Sequence, residues 1–150
     1  MIRPNKVGHV VLKVRDVARA EQFYTEVLGF EVVMRLKRPH GVFFTLGEQH
    51  HDIAVLEMPA DAEPVKDNQV GLHHVALQVG SFADLQECYR TLKAHNVRIT
   101  ATIDHLITKS IYFEDPDGNG LELYCEVGED GLERIRRGDA AAFAPLNLEA

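Results

Sequence analysis

The chain has 150 residues, with 23 Asp and Glu against 16 Lys and Arg, a formal net charge of -7 and eight histidines. Hydrophobic residues at 45% and charged residues at 26% supply a core for one compact domain or two small modules, and exclude a disordered tail. The acidic balance excludes a general nucleic-acid binder, which needs a basic patch, and two cysteines exclude a Cys-rich structural zinc site.

Residues 6–14 alternate and are rich in Val, which predicts a strand. Asp16 caps a predicted helix that presents Ala20, Phe23, Tyr24, Val27 and Leu28 on one face, and Gly29 ends it. Strands are predicted at 31–37, 41–46 and 51–57. The segment 58–70, with Pro59, Pro64 and several acids, reads as a linker. A strand at 72–79 follows. Ser81 and Asp84 begin a helix with Phe82, Leu85, Tyr89 and Leu92 inward. Strands at 97–103, 110–114 and 121–126 complete the series. The tail 127–150 is expected to form a short helix around Leu132–Arg136 and to pack on the surface.

The order β-α-β-β-β thus occurs twice, and the sequence itself repeats. Gly8-His9-Val10-Val11-Leu12-Lys13-Val14 resembles His73-His74-Val75-Ala76-Leu77-Gln78-Val79 at an offset of 65, and Phe23-Tyr24 falls opposite Cys88-Tyr89. At the same offset Glu57 falls opposite Glu122, so His9 to Glu57 and His74 to Glu122 are both separations of 48. Two copies of one module are inferred, residues 5–60 and 70–126. The expected fold is α+β, with the two modules pairing into a curved, barrel-like sheet around a cavity.

Strand parity then sorts the polar residues, because residues two apart share a face. Val10, Leu12 and Val14 form one apolar face; His9, Val11 and Lys13 form the other. Val75, Leu77 and Val79 stand likewise against His74, Ala76 and Gln78, and Leu121 and Leu123 against Glu122 and Tyr124. His9, His74 and Glu122 therefore share the face away from the helices, and two imidazoles and a carboxylate suit a divalent metal. Glu57 is either a fourth ligand or a strand-end carboxylate in solvent. Val11, Ala76, Ile53 and Val55 are expected to line the cavity. His40 and His95 read as solvated, and His50 and His73 as facing away. Asp115-Pro116-Asp117-Gly118-Asn119-Gly120 is a turn by its chemistry, without the ligand spacing of a calcium loop.

Paired β-α-β-β-β modules and the run Asp115-Pro116-Asp117-Gly118-Asn119-Gly120-Leu121-Glu122-Leu123 resemble the vicinal oxygen chelate superfamily, which includes glyoxalase I, extradiol dioxygenases and bleomycin- or fosfomycin-resistance proteins. The resemblance covers residues 5–126 and implies a single domain over 1–126. Four stretches are most similar to type I extradiol, catechol 2,3-dioxygenase-like enzymes: Gly8-His9-Val10 with Phe23 to Phe30; His51-Asp52-Ile53-Ala54; Leu72-His73-His74-Val75; and Asp104-His105 through Lys109-Ser110-Ile111-Tyr112-Phe113.

That resemblance implies that His9, His74 and Glu122 ligate Fe(II), with Mn(II), Ni(II) and Zn(II) as alternatives, and that the substrates are a small catechol-like aromatic and O2. It implies that His51 stabilises negative charge developing on the reacting oxygen, His105 acts as acid and base, and Tyr112 holds a substrate oxygen. Two other readings stay open: a glyoxalase I-like lyase with a His/Glu/His/Glu metal site that includes Glu57, and a non-catalytic, drug-sequestering binding protein of the same fold. No apolar run reaches the ~20 residues of a membrane span, no signal-peptide pattern is present, and two cysteines suit free thiols, so a cytoplasmic protein is expected. Module pairing within a chain and pairing across a homodimer are both expected to satisfy the site.

Overall fold

The computed structural model describes residues 1–66, 68–139 and 142–149. The chain divides into two compact units, Met1–Asp67 and Asn68–Ala150, and the division falls within the Pro-containing segment 58–70. Unit 1 contains β1 (Val10–Val14), α1 (Val17–Gln22), a π-helical turn (Phe23–Val27), β2 (Glu31–Lys37), β3 (His40–Thr45) and β4 (Ile53–Glu57), in a sheet of order β1-β4-β3-β2. Unit 2 contains β5 (Val75–Gln78), α2 (Phe82–Ala94), β6 (Ile99–Asp104), β7 (Thr108–Glu114), β8 (Gly120–Glu126), α3 (Gly131–Arg136) and β9 (Ala144–Pro145), in a sheet of order β5-β8-β7-β6-β9. The fold is α+β with two mixed sheets: β1/β4 and β5/β8 are parallel and the other neighbours antiparallel. Each sheet is open, and neither closes on itself as a barrel.

α1 and α2 begin where the sequence places a cap. The Asp16 carboxylate accepts from the Arg19 N–H, and the Ser81 hydroxyl accepts from the Asp84 N–H. α1 loosens into the π-helical turn, which buries both Phe23 and its neighbour Tyr24, and Gly29 leaves the helix at φ +72°. Tyr24 stacks on Phe44 at 5.2 Å, inside a core of Leu12, Val14, Ala20, Phe30, Ile53 and Val55. Leu85, Leu92, Ile111, Phe113, Leu121 and Cys125 form the core of unit 2. Each such large side chain contributes about 1.5–3 kcal/mol by leaving water. Phe82 departs from its expected inward place: it stays exposed on the first turn of α2, with Lys109 Nζ 5.7 Å from its ring. Both cysteines are free thiols whose pKa values burial raises. Among the described residues, no helix is long and apolar enough to cross a membrane.

The strand registers refine the repeat. Val10 pairs with Ile53 and Val75 with Leu121, so the offset is 65 between β1 and β5 but 68 between β4 and β8. The extra residues lie where α2 runs on to Ala94. Both β2/β3 and β6/β7 carry a register shift at the equivalent place, between Val32 and Met34 and between Ile99 and Ala101. Ala54, opposite Val11, is therefore the counterpart of Glu122, opposite Ala76; Phe43, opposite Ala54, is the counterpart of Tyr112. Glu57 pairs with Val14 and shares the helix-facing side of β1 and β4 with Ile53 and Val55. The constant offset of 65 thus fails for Glu57, and Ile53 and Val55 pack into the core rather than line a cavity.

The tail also differs from a surface appendage. α3 covers the expected residues, but β9 joins the sheet beside β6, and Leu148 is only 2% exposed.

One close backbone approach locates the start of β5. The turn before β8 is tied by Asp115, whose carboxylate accepts from the N–H groups of Asp117 and Asn119 and from the Asn119 side-chain amide. It delivers Gly120 against the carbonyl of His73, where a Cβ would collide with that oxygen. Gly120→Ala is expected to destabilise the protein by about 1–3 kcal/mol in urea denaturation. Gly8→Ala, which adds a methyl group to open space, should stay within about 0.5 kcal/mol of the parent.

Candidate functional site

Unit 2 brings together four of the sequence-selected residues. β5 and β8 run side by side, so His74, immediately before β5, lies against Glu122, with His74 Nε2 3.0 Å from Glu122 Oε2. Glu122 is buried, at 8% exposure, while His74 is partly open to solvent. The Tyr112 ring stands edge-on to the His74 ring at 5.3 Å, on the strand register opposite Glu122. His105 Nε2 lies 3.0 Å from the Tyr112 hydroxyl. Burial, and then the hydrogen bond to Glu122, push the Tyr112 hydroxyl up to about 12, so it carries its proton at neutral pH.

Unit 1 brings together His9 and His51, whose ring centroids are 4.2 Å apart. The His51 ring also lies 4.6 Å from that of Phe43, which occupies the place Tyr112 has in unit 2. The loop before β4 is fixed by Asp52, which accepts from the Leu46 N–H and the Gln49 side chain, each at 2.7 Å. His51 is 8% exposed, and its pKa is lowered first by burial and then by the neighbouring His9 and His50. It is therefore a neutral imidazole at pH 7.

Glu57 stands elsewhere. Its carboxylate lies 2.8 Å from His40 Nδ1 and accepts from the Val17 N–H at the start of α1 at 3.4 Å. These contacts, His40 first, hold its pKa below the ordinary carboxylate value. His40, read as a solvated residue, is in this way tied to Glu57.

Sequence reasoning missed the role of two further histidines. His50 and His73, expected to face away, have their Nδ1 atoms 2.6 and 2.7 Å from the Nδ1 atoms of His51 and His74. Each neighbour leaves the Nε2 of His51 or His74 as the nitrogen available for other partners. The signal was in the sequence as two consecutive His-His pairs, which parity alone assigned to opposite faces. Phe143 was missed too; its ring lies 5.0 Å from that of His105, although it is 38 residues further along the chain and belongs to the tail.

Within either unit, no three His, Cys, Asp or Glu side chains among the described residues form a group that could hold a metal ion. Unit 2 presents two donors at mutual contact, His74 Nε2 and Glu122 Oε2, and unit 1 presents His9 at the position equivalent to His74. One imidazole nitrogen and one carboxylate oxygen about 3 Å apart, next to a half-buried phenol, are a donor set that fits a divalent first-row metal.

The depressed pKa of His51 has a measurable sign. Below the ordinary histidine value of 6.5 the unfolded chain binds a proton that the folded His51 resists, so stability falls with acid there. In an NMR titration His51 is expected to titrate below 6.5. His50→Gln, which removes a neighbouring positive charge at low pH, should raise that value. Unfolding measured from pH 7 to pH 5 should show a shallower acid loss for His51→Gln than for the parent.

Comparison with known proteins gives these features a family. The profile of the Glyoxalase/Bleomycin resistance protein/Dioxygenase superfamily matches residues 6–123. Biphenyl-2,3-diol 1,2-dioxygenase 2 of Rhodococcus globerulus is 36% identical over 122 residues, which are 81% of this chain and 63% of that protein. The chain thus spans less than two thirds of that relative's length. The metallothiol transferase FosB of Staphylococcus haemolyticus is 29% identical over 128 residues, 84% of this chain and 87% of that one. A crystal structure of a glyoxylase/bleomycin resistance protein/dioxygenase domain from Frankia sp. EAN1pec superposes with a TM-score of 0.75 at 23% identity, over 83% of this chain and 100% of that one. With two β-α-β-β-β units in sequence and a profile match over most of its length, the chain belongs to the glyoxalase/bleomycin resistance/dioxygenase superfamily, the vicinal oxygen chelate proteins.

Proposed function

We propose that the protein is an Fe(II)-dependent extradiol-type dioxygenase that opens the ring of a catechol-like aromatic with O2, with His9, His74 and Glu122 as the metal ligands. The observation that carries this reading is the asymmetry between the units. Ala54 stands where Glu122 stands in the second unit, and Glu57 is on the helix side with His40. The chain therefore offers two imidazoles and one carboxylate, the donor count of non-haem oxygenases, rather than the four donors of a glyoxalase I-like site. The biphenyl-diol dioxygenase relative supports the same class. Mn(II), Ni(II) and Zn(II) would be accepted by the same donors.

Bound there, Fe(II) supplies Lewis acidity toward two adjacent catechol oxygens and a path for electrons from ring to dioxygen. The protein's own groups do the rest. Tyr112, protonated at neutral pH, donates to a substrate oxygen and fixes the ring's orientation. His105 Nε2 takes a proton from the substrate hydroxyl and returns it to the ring-opened product. His51 is neutral, and in the tautomer whose Nδ1 accepts from His50 its Nε2–H donates to the oxygen that gains negative charge. Both oxygen atoms enter the product as the ring bond beside the diol breaks. The reading is of a cytosolic enzyme whose His9 meets the His74–Glu122 pair either in its own chain or in a homodimer.

A second reading draws on the FosB relative, which this chain matches over 87% of its length. It is thiol transfer at the same three metal ligands. A drug-sequestering role is disfavoured by the intact donor set.

Reconstituted anaerobically with Fe(II) and then given O2 and 2,3-dihydroxybiphenyl or catechol, the protein should consume O2 and form a yellow ring-fission product. Oxygen uptake absent across a catechol panel, with Mn(II)- or Ni(II)-dependent thiol transfer present, would overturn the dioxygenase reading. Glu122→Gln should cost 10-fold or more in metal affinity, read by Co(II) absorption, while Glu57→Gln should leave it within about 2-fold. A large loss from Glu57→Gln would restore the four-donor site.

A further inference from the structure

The C-terminal tail reaches His105 through a chain of specific contacts. β9 extends the sheet along β6, with Ile103 opposite Pro145 and Asp104 opposite Ala144. The Leu146 N–H donates to the Thr102 carbonyl at 3.1 Å, and the Thr102 hydroxyl donates to the Leu146 carbonyl at 2.8 Å. Leu148 is almost fully buried, and the Tyr89 hydroxyl donates to the Glu149 carboxylate at 3.2 Å. This anchored segment places the Ala142 carbonyl 3.0 Å from His105 Nδ1 and the Phe143 ring edge-on to the imidazole, at 86°.

A carbonyl oxygen can only accept, so His105 Nδ1 must carry a hydrogen. In the neutral ring that leaves Nε2 as the bare nitrogen, and Nε2 is the atom that faces the Tyr112 hydroxyl. The tail therefore selects the tautomer. An imidazole without such a partner would populate the other form, with a hydrogen where a base needs a lone pair. Phe143 restricts rotation of the ring about its Cβ–Cγ bond. The rest of the tail buries little beyond Leu148, and Phe143 itself is 76% exposed, so core formation does not account for its placement.

We propose that residues 142–149 are a strap that positions His105, with Ala142 fixing its tautomer and Phe143 its ring plane. The strap acts on the chain's own geometry. Only its effect on turnover rests on the dioxygenase reading.

The test is 15N NMR of the histidine side chains in the 150-residue chain with Zn(II), which is diamagnetic. His105 is expected in the Nδ1–H form. Leu148→Asp removes the buried anchor, and Thr102→Val removes one hydrogen bond while keeping the side-chain shape, so it remains folded if the first variant does not. Exchange of the Leu146 amide reports release of the strap. On release, His105 should shift toward the Nε2–H form while His40 and His95 keep their signals. With Fe(II) and catechol, kcat should then fall about 10-fold with KM changed less than about 2-fold. An Nε2–H His105 in the parent, or an unchanged Nδ1–H form in a variant whose Leu146 amide exchanges freely, would overturn the strap. Absence of catechol turnover in the parent would remove the dioxygenase reading and leave the tautomer result to decide the strap.

Discussion

The contact of Gly120 with the His73 carbonyl fixes much of unit 2. Two parallel strands can place a residue from each at touching distance only if nothing stands between their backbones at the point of entry. Gly120 gives that clearance, and the Asp115 turn brings it there. From this follow the pairing of β5 with β8, the meeting of His74 with Glu122, and the burial of a carboxylate that would otherwise be costly to remove from water. Tyr112 completes the arrangement from the neighbouring strand, and burial beside that carboxylate keeps it protonated.

Unit 1 shows the same scaffold with the chemistry changed. The strand order, the parallel pair, the capped helix and the bulge recur, but Phe43 and Ala54 replace the phenol and the carboxylate. The result is a cluster of imidazoles, His9, His50 and His51, with the Asp52 carboxylate beside it. Clustered imidazoles disfavour one another's protonation, and burial adds to this at His51. One unit thus buries a carboxylate, and the other buries an imidazole that resists protonation.

The fold was legible in the sequence because its signals were local. Strand parity gave the correct faces for Leu12, Val14, Leu121 and Glu122, and caps at Asp16 and Ser81 fell where the structure has them. The failures came from assuming that a repeat keeps one offset. A helix that runs a few residues longer in the second copy changes the count for every strand after it. This made Glu57, in place of Ala54, the repeat partner of Glu122 and turned Ile53 and Val55 toward the wrong face. The environment of His105 was not legible at all, since its partner is a backbone carbonyl 37 residues away. The tail's apolar Phe143, Leu146 and Leu148 were the one hint, and they carry no period. The ligand and catalytic roles of His9, His51, His74, His105, Tyr112 and Glu122 remain the proposal advanced above.

Ala54 has an evolutionary consequence. Alanine and glutamate codons can differ by a single base, so one nucleotide separates this chain from one with a carboxylate at the equivalent strand position of each unit. Such a change would not be silent in packing. Ala54 is fully buried, and the longer side chain would need room now taken by its neighbours. In unit 2 the same register position holds Glu122 opposite Tyr112, so an aromatic across the strand pair is compatible with a carboxylate there, and the adjustment would fall on the other side chains packed around Ala54.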